Sequence, residues 1–452
     1  MNYISNAIEI PDAIIKNSSI SSNKQVFRLT QFCIILSFAT MGFGDYFFGI
    51  NVSTNVATLF IYLTLLIQIL SKTLRLPKFL SIIYIFIIIQ TFILNSNNIS
   101  STGSIKHFIG LVIFSLSLFS FVSVHRDRII NIVQTYYRLV IIIVSISIIQ
   151  IIIFVFTGIS IIPQNILSGH VITGSSSLVP EIFSVLPRAI GLSTEPAHYA
   201  LIILPGVYIA LLVLLNRSGN LGFKNKKTAF IILVGYILSF SLVAFLGLFL
   251  CFVSILAYER KSGFLIKSIF VSLFVGLVLV ISLTPIGSKA TSFIKLQNDI
   301  SGHEYTGEDL SAFALVSNMM VAKEALKSSH FLGTGLNTHK DSYDKTIYKQ
   351  FQISQVLMEL NKEDAGSLFI RITSEFGIPG ILSLIIFLIH YRLGRNFESS
   401  SIKTINAMCL VVLISYCART GSYLSINFIL FVALYYYSFR ILKTENSLII
   451  QT

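Results

Sequence analysis

Apolar residues fall along this chain in long blocks, near 30–48, 55–71, 79–94, 107–124, 139–158, 196–215, 228–258, 266–284, 377–391, 402–418 and 423–439, with polar breaks between them. Most blocks approach the roughly 20 residues that an α-helix needs to cross a bilayer. The block over 228–258 is longer, and both of its flanks are basic: Lys224, Lys226 and Lys227 precede it, and Arg260, Lys261 and Lys267 follow. One crossing cannot bring both basic ends to the same side, so this block divides into two short helices meeting as a hairpin near Ser239, Phe240 and Ser241. The pattern predicts an all-α polytopic membrane protein of about 12 transmembrane helices, counting the two short helices of the hairpin.

The breaks set the orientation, because Lys and Arg concentrate in cytoplasmic loops. Lys72, Arg75 and Lys78 mark one loop as inner, the uncharged stretch 95–104 is outer, and His125, Arg126 and Arg128 mark the next as inner. The alternation places 159–194 outside as a first outer loop. Arg217 and Lys224 return the chain inside, and Arg392, Arg395 and Lys403 mark the last inner loop. The stretch from Pro285 to Glu375 carries nine Lys or Arg against eleven Asp or Glu, whereas the rest of the chain is strongly basic. It reads as one large outer loop with helices of its own, for example over Ser311 to Ser328. The organisation is then a bundle over 1–284, the outer loop over 285–375 and closing helices over 376–452, integrated into a single membrane domain. Both termini are expected inside, with the N-terminal polar stretch uncleaved.

Composition agrees with lipid as the solvent: 54% of the 452 residues are hydrophobic, 12% are charged, and the mean hydropathy is +0.80. A net charge of +13 would suggest a nucleic-acid partner in a soluble protein, but here it resides in short loops and reads as orientation, with no nucleic acid implied. Cys33, Cys251, Cys409 and Cys417 lie in apolar runs without a CxxC pair and read as packing residues.

Candidate chemistry concentrates in the stretch from Pro187 to Gly206. Arg188 is the only Lys or Arg between Arg138 and Arg217, and Glu195, His198 and Tyr199 follow it into an apolar helix. Ser193 and Thr194 suit an N-cap and Pro196 a first turn, so a helix starts near Thr194 with its positive dipole end beside Arg188, a setting for an anionic headgroup. Glu195, His198 and Tyr199 are spaced to share one face. Arg371 and Glu375 stand four apart just before Gly377, where either an ion pair or substrate contact is open. Arg419 stands alone in an outer turn, on the side that disfavours it. His330 and His339 flank Gly333-Thr334-Gly335, which is more often a turn than a phosphate loop. No Asp-x-Asp, HExxH, Walker A or clustered His/Cys pattern is present, so the expectation is a site of arginines and carboxylates acting on an activated substrate, without metal or cofactor.

Taken in order, RAIGLSTEPAHYA (188–200), FSLVAFLGLFL (240–250), HFLGTGLNTH (330–339), SLFIRITSEFGIPGILSLIIF (367–387) and ARTGSYLSINF (418–428) resemble the O-antigen polymerase (Wzy) family. The resemblance implies a multi-pass enzyme of the bacterial inner membrane that joins oligosaccharide repeat units carried on undecaprenyl pyrophosphate at the periplasmic face. Donor and acceptor would both be lipid-linked glycans, with a chain-length regulator as protein partner and no cofactor. Family arginines of the two outer loops correspond to Arg188 and Arg371. On this reading Arg188, Arg371 and Arg419 hold the pyrophosphate, and Glu195 or else His198 serves as base. Tyr199 contacts sugar, with Glu375 and His339 also placed among the substrate contacts. Related O-antigen ligases depend on a histidine in the large loop, which keeps ligation to a lipid core open through His330 and His339. A lipid-glycan flippase or transporter is the alternative of another class.

Overall fold

The computed structural model describes residues 24–40, 46–47, 50–51, 56–93, 101–157, 188–193, 195–217, 221–258, 310–350, 361–394 and 401–451. The helices are α1 (Lys24–Thr40), α2 (Val56–Leu70), α3 (Lys78–Ile88), α4 (Ser101–Val124), α5 (Ile129–Thr157), α6 (Pro196–Leu214), α7 (Lys226–Ile237), α8 (Leu242–Tyr258), α9 (Leu310–Ser328), α10 (His339–Gln350), α11 (Leu368–His390), α12 (Ser401–Arg419) and α13 (Ile426–Gln451). Two short strands, β1 (Tyr46–Phe47) and β2 (Ile50–Asn51), pair antiparallel between α1 and α2. Six of the helices, α4, α5, α6, α11, α12 and α13, contain stretches long and apolar enough to cross a membrane, and shorter apolar stretches lie in α1, α2, α3 and α8. This is a helical membrane protein.

Several expected limits shift. The first apolar block, 30–48, is not one helix: α1 ends at Thr40, ahead of Gly42 and Gly44, and Tyr46–Phe47 belongs to the strand pair. α5 starts ten residues before the expected 139, because amphipathic turns carrying Arg138 continue the helix. α11 extends back to Leu368, but it is broken at Gly377, where the last inward span was expected to begin, so Arg371 and Glu375 lie on a helical stretch ahead of that break. The block 266–284 lies outside the described residues.

Local sequence explains the helix ends that matter. Pro196 supplies the first turn of α6 with Glu195 as extended N-cap. The Asn225 side chain accepts from the backbone N–H groups of Lys227 and Thr228 to start α7, and Ser367 Oγ caps α11 at Ile370. α3 ends in a π-helical turn, Ile89–Ile93, which turns Gln90 and Thr91 inward.

α6 is the axis of the bundle. It is buried almost throughout, enclosed by α5, α7, α8 and α12, as expected of a helix that is apolar all round. Lipid offers no hydrophobic gain for helix association, so close approach at small residues matters here. A Cβ on Gly206 would come within 2.5 Å of Val140 Cγ1, and one on Gly235 within 2.6 Å of Val144 Cγ1. α11, by contrast, turns Ile378, Leu382, Ile385, Ile386 and Ile389 outward. α7 rises beside α6, turns at Ser239–Ser241 and returns as α8: Gly235 meets Tyr199, Gly247 meets Leu204, and Tyr208 meets Ser254. The expected hairpin is therefore present, and its tip stands level with the start of α6, where Ala189 N–H donates to Leu238 O.

Alternating helix directions give the bundle two ends. The starts of α6, α11 and α13, the ends of α3, α5 and α12, the hairpin tip and the pair α9 and α10 share one end. The other gathers basic segments: Arg75 beside Ser120, Arg128 over Phe27, and Arg392 over Tyr258.

Candidate functional site

The first end carries the rare charged residues. Arg371 Nε donates to Glu375 Oε1 at 2.8 Å, one turn along α11. Its remaining donors go to Gly421 O at 3.2 Å, Asn337 Oδ1 at 2.9 Å and Tyr423 Oη at 3.2 Å, and the guanidinium lies 4.4 Å from the Tyr423 ring centroid. Arg371 is 3% exposed and Glu375 not at all. A guanidinium so enclosed joins α11, the loop before α10 and the turn after α12.

Below this pair α11 is broken. Gly377 has φ 61° and ψ −152°, a conformation only glycine adopts readily, and it frees the carbonyls of the preceding turn. The loop at 331–335 occupies the break: Thr334 N–H donates to Ser374 O, Gly335 N–H to Glu375 O, and Ile378 N–H to Phe331 O. Gln90 Nε2 donates to Leu332 O and Glu375 O, Thr91 Oγ1 accepts from Leu336 N–H, and Ser104 Oγ donates to Leu336 O. The Gly-Thr-Gly segment is thus a packing turn whose N–H groups are held within the protein, Gly333 N–H by Ser329 Oγ and the other two by carbonyls of α11. Gly333, at φ 81°, lies against the break so closely that a Cβ there would fall 2.5 Å from Glu375 O.

His339 is equally enclosed. Its Nε2–H donates to Asn318 Oδ1 and its Nδ1 accepts from Ser374 Oγ–H, both at 2.7 Å, so the neutral ring has both nitrogens engaged. Burial, with Arg371 nearby, pushes its pKa down to about 3. Tyr199 is buried too, its hydroxyl shared with Ser147 at 2.8 Å and Gly235 O at 3.3 Å. Both side chains are buried with their polar atoms bonded within the protein, Tyr199 between α5 and α7 and His339 between α9 and α11.

What remains is a mouth at the start of α6. Glu195 holds the N-cap position, yet its carboxylate makes no cap bond and reaches Arg419 instead, Oε2 to Nη2 at 3.7 Å. Arg419 Nη1 donates to Gly366 O at 3.3 Å. His198, half-buried on the first turn, lies within electrostatic reach of Glu195, Arg419 and Asp364. Arg188 donates from Nε to Ser239 O at 3.0 Å and from Nη2 to Phe240 O at 2.9 Å, which fastens the hairpin tip. Burial draws the Arg188 pKa down while the Glu195 charge pulls it up, and the group stays cationic. Ser193 Oγ and Thr420 Oγ1 are buried without a hydrogen-bond partner among the described residues.

No family model, curated protein or solved structure matches this chain.

Several contributors escaped sequence reasoning. Asn337, Tyr423, Asn318 and Gln90 come from distant segments, and only for Gln90, a lone amide inside the apolar block 79–94, does the sequence itself offer a hint. Lys340 pairs with Glu363 at 2.8 Å and Lys362 with Asp344 at 2.5 Å, so two reciprocal bridges fasten the 361–366 turn to α10. That turn in turn lies against the backbone of Gly421, beside Arg419. Among the described residues no group of His, Cys, Asp and Glu is arranged to hold a metal ion. Chemically, the mouth offers two guanidinium groups at a helix N-terminus, a carboxylate and an imidazole: a place for an anion and for a proton transfer beside it.

Proposed function

We propose that this protein is a membrane glycosyltransferase that polymerises repeat units carried on undecaprenyl pyrophosphate, with the mouth of α6 as its active site. The observation that carries the reading is the convergence of Arg188, Arg419, Glu195 and His198 at one end of an otherwise apolar bundle. The motif order that resembles the O-antigen polymerase family supports it independently. In this reading the helices number twelve, both termini are cytoplasmic in a bacterial inner membrane, and the mouth opens to the periplasm.

The acceptor hydroxyl oxygen attacks the anomeric carbon of the donor sugar, and the bond from that carbon to the pyrophosphate oxygen breaks. The leaving lipid pyrophosphate takes the electron pair, and Arg188 and Arg419 stabilise its charge. The hydroxyl proton passes to Glu195 or His198. Arg371 and Glu375 hold the 419–423 turn in position and do not touch substrate.

The break in α11 favours a second reading, since transporters place substrates at discontinuous helices. There, however, the freed carbonyls line a cavity, whereas here the 331–335 loop and Gln90 occupy them. Deleting the gene and resolving the surface glycan on a gel tests all of these. Single repeat units on the lipid core are expected; polymer stranded on the carrier lipid would mean a ligase, and loss of every outward unit would mean a flippase.

A further inference from the structure

We infer that the Glu195 carboxylate is a resident anion: it occupies the position of the donor's diphosphate between Arg188 and Arg419, and gives way when the diphosphate binds. This rests on the reading of the mouth as a lipid-diphosphate site, and it assigns Glu195 a role other than base.

Four observations carry it. Glu195 stands at the N-cap of a 19-residue helix but leaves the first-turn N–H groups without a side-chain cap. Its carboxylate turns to Arg419 at 3.7 Å, within ion-pair range and beyond hydrogen-bond length, and it acts electrostatically on Arg188 as well. The pair is loose and wet, with side chains 34% and 50% exposed, whereas Arg371 and Glu375 are 4% and 0% exposed. Finally, among the described residues Ser193 Oγ, in a residue only 3% exposed and two positions before Glu195, has no hydrogen-bond partner, and neither has Thr420 Oγ1 next to Arg419. Buried hydroxyls without partners ask for a ligand.

With Glu195 in place, its carboxylate offsets the charges of Arg419 and Arg188, and the mouth has less pull on a multiply charged anion. With Glu195 swung out, the guanidiniums of Arg188 and Arg419 and the N-terminus of α6 are left without their carboxylate, a set that suits the several oxygens of a diphosphate. After transfer the carboxylate competes for the same cations and helps expel the lipid diphosphate. The acceptor proton is then left to His198, one turn along.

The experiment is equilibrium binding of inorganic pyrophosphate to the purified full-length protein in lipid nanodiscs, with thermal melts as folding controls. Exposed ion pairs of this kind are weak, so removing the competitor in Glu195→Gln should tighten binding by up to about 5-fold, and Arg419→Gln should abolish it. In a transfer assay Glu195→Gln should become more sensitive to inhibition by added pyrophosphate, and His198→Gln should lose transfer while still binding it. Wild-type binding that Glu195→Gln leaves equal or weaker overturns the resident anion and leaves the diphosphate site standing. Absence of binding in wild type and Glu195→Gln alike overturns the diphosphate site itself.

Discussion

Two guanidinium–carboxylate pairs lie at the same end of this molecule, and they differ in almost everything but chemistry. Arg371 and Glu375 meet at 2.8 Å on one helix, sealed from solvent, and every nitrogen of the guanidinium has a partner. Arg419 and Glu195 meet at 3.7 Å across two helices and remain wet. The first arrangement is expensive to disturb, because an uncompensated buried charge is what remains. The second is cheap to rearrange, because water replaces either partner. Burial therefore sorts the arginines: Arg371 holds the shape of the site, and Arg419 is left able to bind.

The largest effect should follow from breaking the sealed pair. Arg371→Ala leaves Glu375 buried and unpaired and should destabilise the fold by about 3–5 kcal/mol, read as a lowered unfolding midpoint in nanodiscs. The double variant Arg371→Met with Glu375→Leu removes both charges at similar volume and should recover much of that loss. If Arg371→Ala melts with wild type and only transfer falls, Arg371 is a substrate ligand after all and the contrast collapses.

Next comes the break that seats this pair. A Cβ on Gly377 would collide with the backbone at Phe331–Gly333, and φ 61° with ψ −152° is unfavourable for any other residue. Gly377→Ala should cost about 1–3 kcal/mol from backbone strain alone, with the clash in addition. Amide exchange should show the 331–335 loop released first, and unchanged protection there would refute the docking role.

Acid should act on the same sealed region. His339 in the folded protein is neutral, with its pKa near 3 against an ordinary value of about 6.5. The unfolded chain therefore takes up the proton first: the stability from His339 is full above about pH 6.5 and is lost progressively as pH falls toward 3. His125, buried at the opposite end and pushed down to about 4, contributes with the same sign. His339→Asn should flatten the acid slope of the unfolding midpoint, and an unaltered slope would mean that His339 is already protonated in the fold.

How much of this was legible beforehand follows from what spacing can carry. The i, i+4 relation of Arg371 and Glu375 could be read from the sequence; their burial could not, since Asn337, Gly421 and Tyr423 lie 34 to 52 residues away. The hairpin at Ser239–Ser241 followed from basic flanks, because charge fixes sides. The strand pair at Tyr46–Asn51 did not, because four residues carry too little pattern. Arg188 and Arg419 drew notice as cations where the charge bias disfavours them. That Glu195 would face Arg419 was invisible, since the partners are separated by about half of the chain. The spacing of Glu195, His198 and Tyr199 was legible, but not that exposure falls from the open Glu195 to the buried Tyr199 within a single turn.

The smallest effect on stability should come from the open pair. Arg419→Gln removes an ion pair that is about one-third to one-half exposed and one hydrogen bond to Gly366 O. Pairs of this kind contribute about 0.2–1 kcal/mol, so the unfolding midpoint should move little, and Glu195→Gln should move it no more. Transfer should respond quite differently. A charge-assisted contact made to the departing diphosphate is worth roughly 1.5–3 kcal/mol, which corresponds to about a 10- to 150-fold slower reaction if the contact forms only in the transition state. The measurement is the rate of chain extension by purified Arg419→Gln beside its melt. A melt shifted as far as that of Arg371→Ala would make Arg419 a second scaffold residue, and a wild-type rate would move the diphosphate elsewhere; only a stable, slow enzyme keeps the two pairs apart in role as they are apart in solvent.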